Sequence, residues 1–290
     1  MKKFLLIAVA AMGLLFTACS KDEVAQPVGG EESVVTFTVE APVMATRAHG
    51  DGLTANDLTV LVYQRGGALL FEKEAEMVGL KATVELPFVN GMEYDLVFWA
   101  EAENSPYKLD KANKSVTYTD PTALVGNSES YDAFYAYVND IPVITGPVTK
   151  SVVLKRPFAQ LNIATNDTAE AAQSGLDVEN VAVEVTNAYT QFDLVTGNGV
   201  NASNTGVTFT SAPKQGGTIL SSYDLLAVNY LFTGGEKQLV NVKFTYTDRE
   251  IKGGNAGRTA EYNSVPVQRN YRTNIIGSLL TSDGKFNIEI

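Results

Sequence analysis

Few residues of this chain are equipped for chemistry. Its 290 residues hold one cysteine, Cys19, and one histidine, His49. A hydroxyl or thiol nucleophile needs a positioned base, most often histidine. His49 lies in the loop-forming run Ala48-His49-Gly50-Asp51-Gly52, where a side chain is usually solvated. A structural zinc ion needs about four Cys or His ligands, more than the sequence contains. A single cysteine also closes no disulfide within the chain. Carboxylate pairs such as Glu101/Glu103 or Asp132/Asp140 are the groups that glycoside hydrolysis uses. Among 33 Asp and Glu residues, however, such pairs arise by chance. The run Gly253-Gly254-Asn255-Ala256-Gly257 lacks the lysine of a phosphate loop and follows no βα unit, so it reads as a hairpin loop. The expectation is a non-enzymatic protein without catalytic residues, metal or cofactor.

The cysteine suits a different chemistry. Lys2 and Lys3 precede an apolar stretch, residues 4–18, interrupted only by Gly13 and Thr17. As a helix it reaches roughly 22 Å, short of the ~30 Å hydrocarbon layer, which predicts a secretory leader rather than an anchor. Its end, Leu14-Leu15-Phe16-Thr17-Ala18-Cys19, resembles a lipobox, in which the cysteine is acylated and the leader is cut before it. Phe16 stands where leucine is usual. Acyl chains gain about 0.8 kcal/mol per buried CH₂, so a multiply acylated Cys19 would hold a soluble body firmly to a membrane. Lys21-Asp22-Glu23 resembles the signal that exports some lipoproteins to the outer face of the outer membrane. A polar tether with Pro27, Gly29 and Gly30 then runs to Ser33.

The chain carries 22 Lys+Arg against 33 Asp+Glu, a net charge of −11. Loss of Lys2 and Lys3 with the leader leaves 20 cations against 33 acids, or −13. Nucleic-acid binding runs on cations that neutralise phosphates, so no nucleic-acid partner is expected.

From residue 34 onward the hydrophobic period is two. Val35, Phe37 and Val39 alternate with Thr36, Thr38 and Glu40, and the same one-three-five spacing recurs at Leu58/Val60/Val62, Tyr94/Leu96/Phe98, Phe134/Ala136/Val138, Val181/Val183/Val185, Val242/Phe244/Tyr246, Tyr271/Thr273/Ile275 and Phe286/Ile288/Ile290. Such alternation marks strands with one buried face. Gly66-Gly67, Asn90-Gly91, Asp120-Pro121, Gly234-Gly235 and Asp283-Gly284 supply turns between them. Only residues 167–176 predict a helix, and a short one. About fourteen strands suit an all-β fold of two sandwiches. The expected organisation is a leader at 1–18, an acylated tether and first strand at 19–47, and sandwiches at 48–148 and 149–290. Tyr135 and Tyr137 share one strand face and Phe134 the other. With Trp99, these rings could stack sugars if exposed, or pack the core.

The first strand is the segment with most functional potential. Val35, Phe37 and Val39 lie between the tether and a Gly-rich loop, and Arg47 stands where an Arg-specific protease could reach it. Cleavage between Arg47 and Ala48 would free that strand and vacate an apolar slot with unpaired edges, which recruits strands by β-augmentation. Phe286, Ile288 and Ile290 have the same spacing and are a candidate donor; equally, they could form the last hairpin of their own domain with residues 271–280.

These features carry a family resemblance. Cys19 in its lipobox, Arg47 after the first strand, Leu154-Lys155-Arg156-Pro157-Phe158-Ala159-Gln160-Leu161-Asn162-Ile163 and Val267-Gln268-Arg269-Asn270-Tyr271-Arg272-Thr273-Asn274-Ile275-Ile276-Gly277 together resemble the fimbrillins, fimbrial subunit lipoproteins of Gram-negative anaerobes. The resemblance implies two tandem transthyretin-like β-sandwich domains after a lipoprotein signal peptide. It also implies lipidation on Cys19 (palmitate among the acyl groups), cleavage after Arg47, and assembly with other fimbrial subunits by strand exchange. The expected location is the outer-membrane surface and a fimbrium, with host or bacterial surface ligands as further partners. Stalk subunits of the family carry a donor segment beyond the last domain strand. This chain stops at that strand, which leaves a tip, accessory or anchor role open. A lipid-anchored glycan-binding module is the alternative reading.

Overall fold

The computed structural model describes residues 30–42, 50–141, 143–203, 206–214, 223–249, 256–281 and 286–290. Cys19, Arg47, Ala48 and His49 lie outside the described residues. The alternating segments are strands, and twenty strands occur among the described residues. The first five are β1 (Glu32–Glu40), β2 (Asp57–Gln64), β3 (Leu69–Glu76), β4 (Lys81–Val89) and β5 (Tyr94–Glu101). Shorter ones follow: β6 (Tyr107–Asp110), β7 (Ser115–Tyr118), β8 (Leu124–Val125), β9 (Ala133–Val138) and β10 (Val148–Val153). Then come β11 (Phe158–Thr165), α1 (Thr168–Gln173), which is the one α-helix among the described residues, β12 (Val178–Thr186), β13 (Ala188–Asp193), β14 (Asn198–Ser203) and β15 (Val207–Ser211). The last are β16 (Asp224–Phe232), β17 (Gln238–Asp248), β18 (Ala256–Val267), β19 (Arg272–Gly277) and β20 (Phe286–Glu289). The excess over the expected fourteen comes from strands that alternation does not mark, such as the short β6, β7 and β8.

Two sheets, β10-β1-β4 and β3-β2-β5-β9, face each other across a first core. Two more, β16-β11-β19-β20 and β18-β17-β12-β15-β8, enclose a second. A fifth sheet, β14-β13-β7-β6, closes over the second core with Val116 and Phe192. The fold is all-β, as its patterning predicts.

The alternation hides one feature of β5. Leu96, Phe98 and Ala100 face the first core, whereas Val97 and Trp99 face the second. The expectation of one buried face per strand therefore fails here, because sheet β3-β2-β5-β9 lies between the two cores. Val-, Leu- and aromatic-rich strands without polar alternation are what such a central sheet needs. Pairing also crosses the expected 148/149 division, with β1 on β10, β7 on β13 and β8 on β15. Residues 107–125 thus pack with the second core, not the first.

Trp99 is fully buried and meets Tyr107 edge to face, with centroids 5.6 Å apart at 82°. Tyr135 is buried too, with only 5% exposure. Neither ring is a surface platform. Because Trp99 is the single tryptophan, fluorescence reads its site directly. Folded protein should emit as a buried indole, resist quenching by iodide, and shift to longer wavelength only on unfolding.

Candidate functional site

The first strand occupies a slot. β1 is the middle strand of its sheet, antiparallel to β4 (Phe37 opposite Val84) and parallel to β10 (Phe37 opposite Lys150). Val35, Phe37 and Val39 are fully buried, and Phe37 packs on Phe88 and Phe98 with centroids 6.3 and 5.6 Å away. Burial of three such side chains contributes roughly 5–9 kcal/mol. The outward Thr38 hydroxyl donates to the Lys150 carbonyl at 3.3 Å. An exposed Lys81–Glu40 pair at 2.7 Å adds little.

Both ends of the segment that follows β1 are tied down. Upstream, Ala41 N donates to Leu80 O and Leu154 N to Glu40 O, at 2.9 and 2.8 Å. Downstream, Gly50 N donates to Glu129 Oε2 at 2.8 Å and Gly50 O accepts from Arg156 Nη2 at 2.6 Å. Gly50 and Gly52 have φ of +74° and +91°, in the left-handed region. A Cβ on Gly52 would meet Phe134 Cζ at 2.7 Å, so a side chain there forces the ring to move.

Arg156 is the anchor of this loop. It is 2% exposed, its Nη1 lies 2.9 Å from Asp132 Oδ1, and its guanidinium sits over Phe134 and Phe158 at 4.9 and 5.7 Å. Asp132 is wholly buried. Burial lifts its pKa from the ordinary 3.8 to about 6, the Arg156 charge opposing the rise. Asp132 therefore serves the packing of a junction; no hydrolytic carboxylate is free there. Its expected partner Asp140 is exposed, as is Glu103, while burial also lifts the Glu101 carboxyl, which accepts from Ser105 Oγ at 2.5 Å.

The two motifs that carry the fimbrillin resemblance are neighbours in space. β11 and β19 pair in parallel, Gln160 opposite Arg272 and Asn162 opposite Asn274. Arg272 Nε donates to Gln160 Oε1 at 3.2 Å and Asn162 Nδ2 to Asn274 Oδ1 at 2.9 Å. Arg269 Nη1 donates to the Tyr135 hydroxyl at 2.6 Å, which ties the late motif to β9.

Residues 26–290 match the sequence model of DUF6562, described as a family of unknown function. The chain belongs to DUF6562. No curated protein matches it in sequence. Among solved structures, this DUF6562 chain is similar to a candidate adhesin from Bacteroides ovatus, with 14% identity, coverage of 89% and 93%, and a TM-score of 0.54. It is similar to a candidate polysaccharide-binding protein from Bacteroides thetaiotaomicron, with 10% identity, coverage of 86% and 92%, and a TM-score of 0.54. The tip fimbrial protein Mfa3 of Porphyromonas gingivalis, truncated at its C-terminus, shares 13% identity with coverage of 89% and 98% and a TM-score of 0.50. At such identities the likeness is one of fold. It agrees with the fimbrillin resemblance read from the two motifs.

Val35, Phe37 and Val39 are thus brought together in one slot. Phe286, Ile288 and Ile290 lie on or beside β20, which pairs antiparallel with β19 at the edge of another sheet. Phe286 and Ile290 are exposed, and Phe286 meets Tyr262 edge to face at 4.6 Å. Sequence reasoning missed Arg156, Asp132 and Gly50 as a set; the one available signal was an arginine inside the apolar run at 154–163. NMR titration of the Asp132 carboxyl should give a midpoint near 6. Since this pKa is raised on folding, its stabilising share is complete below about pH 4 and lost as pH rises through 6. Arg156→Met should move the midpoint higher still, because the guanidinium is what opposes burial; an unmoved midpoint would refute that role.

Proposed function

We propose that this chain is a structural or adhesive subunit of a fimbria or fimbria-like surface assembly, exported as a lipoprotein and joined to its neighbours by protease-triggered strand exchange. The observation that carries this reading is β1 itself, a middle strand with three fully buried alternate side chains. In this scheme Cys19 is acylated and holds the tether at the outer membrane. An Arg-specific protease cuts after Arg47, and β1 then leaves the slot between β4 and β10. A strand of the same one-three-five apolar spacing from a neighbouring subunit fills it. Phe286, Ile288 and Ile290 are the donor candidate within this chain. Because Gly50 is held by Glu129 and Arg156, a new terminus at Ala48 stays within two residues of an anchored point.

The likeness to fimbrial tip and adhesin folds supports this reading. A glycan platform on Trp99 or Tyr135 has less support, since both rings are buried. Nothing in the arrangement of Asp132 or Glu101 supports hydrolysis.

N-terminal sequencing of protein sheared from the cell surface should begin at Ala48, and Arg47→Ala should abolish that terminus and the polymer together. Mature protein that always retains an acylated Cys19 would rule out assembly by this route. Phe37→Ala should lower the stability of the uncut protein by about 3–5 kcal/mol in urea titration, as expected for a large ring removed from a packed core.

A further inference from the structure

A cleft of about 350 Å³ opens between the two cores, walled by β9, β10, the β13–β14 turn and Arg269. Three cations line it, Lys150, Lys155 and Arg269, against one carboxylate, Asp140. This reverses the balance of a chain whose net charge is −11. Among the described residues neither lysine has a carboxylate at ion-pair distance. Lys155 is exposed and Lys150 half-buried, and both line the opening.

The remaining walls are preset. Arg269 spends Nη1 on the Tyr135 hydroxyl and on the Gly197 carbonyl, which fixes its plane beside the cleft. The half-buried Tyr137 stands among the residues that line the cleft. A pocket of a few hundred Å³ with aromatic walls and a few placed polar groups is the usual form of a small-ligand site. It is far larger than a bare carboxylate needs. Asp140 disfavours a polyanion but accepts hydrogen bonds from neutral hydroxyls.

We propose that this cleft binds a carboxylate-bearing sugar ring, such as a hexuronate or sialic-acid-type residue, with Lys150 and Lys155 holding the carboxylate and Tyr137 and Asp140 meeting the ring. The cation pair selects the charge, and the tyrosine and aspartate select a hydroxylated ring over a bare anion. Phe37 of β1 borders the cleft, so the site is complete in the uncut protein. Its occupancy there does not depend on whether strand exchange takes place.

The test is NMR titration of the purified uncut full chain with glucuronate, N-acetylneuraminate, glucose, acetate and a hexaglutamate peptide. At least one acidic sugar should bind with a Kd of about 1 mM or tighter. Glucose and acetate should each bind at least about tenfold more weakly, and the Lys150→Gln/Lys155→Gln double variant should lose at least about tenfold while unfolding at the unchanged temperature. Equal binding of glucose or acetate, tighter binding of the peptide, wild-type affinity in the double variant, or no binding of either acidic sugar would each overturn the proposal. Because N-terminal sequencing at Ala48 is read separately, failure of this test and failure of strand exchange are distinguishable.

Discussion

Arg156 is a charge buried where two hydrophobic cores meet, and the architecture around the first strand depends on it. Removing a guanidinium from water is costly, and its attraction to a buried carboxylate seldom yields a net gain over an apolar pair. The surroundings offset that cost in three ways. Asp132 supplies the opposite charge, the Gly50 carbonyl accepts a hydrogen bond, and Phe134 and Phe158 present ring faces. Phe134 belongs to the first core and Phe158 to the second. One side chain thereby fixes the approach of both cores and the position of Gly50. Its contribution is to geometry more than to stability, since a hydrophobic replacement would fill the volume but leave the Gly50 carbonyl without its donor.

That geometry determines what loss of β1 would disturb. Val35, Phe37 and Val39 touch only the first core, while β2 and β5 also lean on the second through Leu61, Tyr63, Val97 and Trp99. Vacating the slot removes one strand from a three-stranded sheet, yet the facing sheet keeps its support from behind. A β-sandwich standing alone would have no second core behind the facing sheet. If the proposed exchange removes β1, the central position of β3-β2-β5-β9 leaves its facing sheet packed on the second core.

Much of this was legible from local pattern, because period-two alternation is imposed by the pleat wherever one face is buried. Val35, Phe37 and Val39 read correctly for that reason, as did the opposed faces of Phe134 and Tyr135. What escaped was non-local. The parallel pairing of β1 with β10 joins residues more than a hundred positions apart, and no turn announces it. β8 is two residues long and acquires its identity only from β15. Asp167 shows the same limit, because nothing in Asp167-Thr168-Ala169 announces its partners. In the fold it accepts from Thr165 Oγ1, from Thr281 N at 2.8 Å and from Leu280 N at 3.1 Å, clasping the chain before β20. Burial would raise its pKa, but these hydrogen bonds prevail and hold it low.

Sheet edges complete the argument. An open strand edge is a template for unwanted pairing, which charge and proline suppress. The edge strand β3 exposes Glu72, Lys73, Glu74 and Glu76, and the free side of β4 carries exposed Lys81, Glu85 and Pro87. Two of the four outer edges of the first sandwich, those at β3 and β4, are therefore guarded. The inner edges of β4 and β10 have no such protection, because β1 covers them, and their floor is apolar where Val35, Phe37 and Val39 lie. Pairing capacity is thus stored inside the sheet, where a strand of like spacing is held by both ladders and by side-chain burial at once. A solvent-exposed edge offers neither the second ladder nor the apolar floor, and in the proposed exchange this difference would favour one strand over any passing peptide.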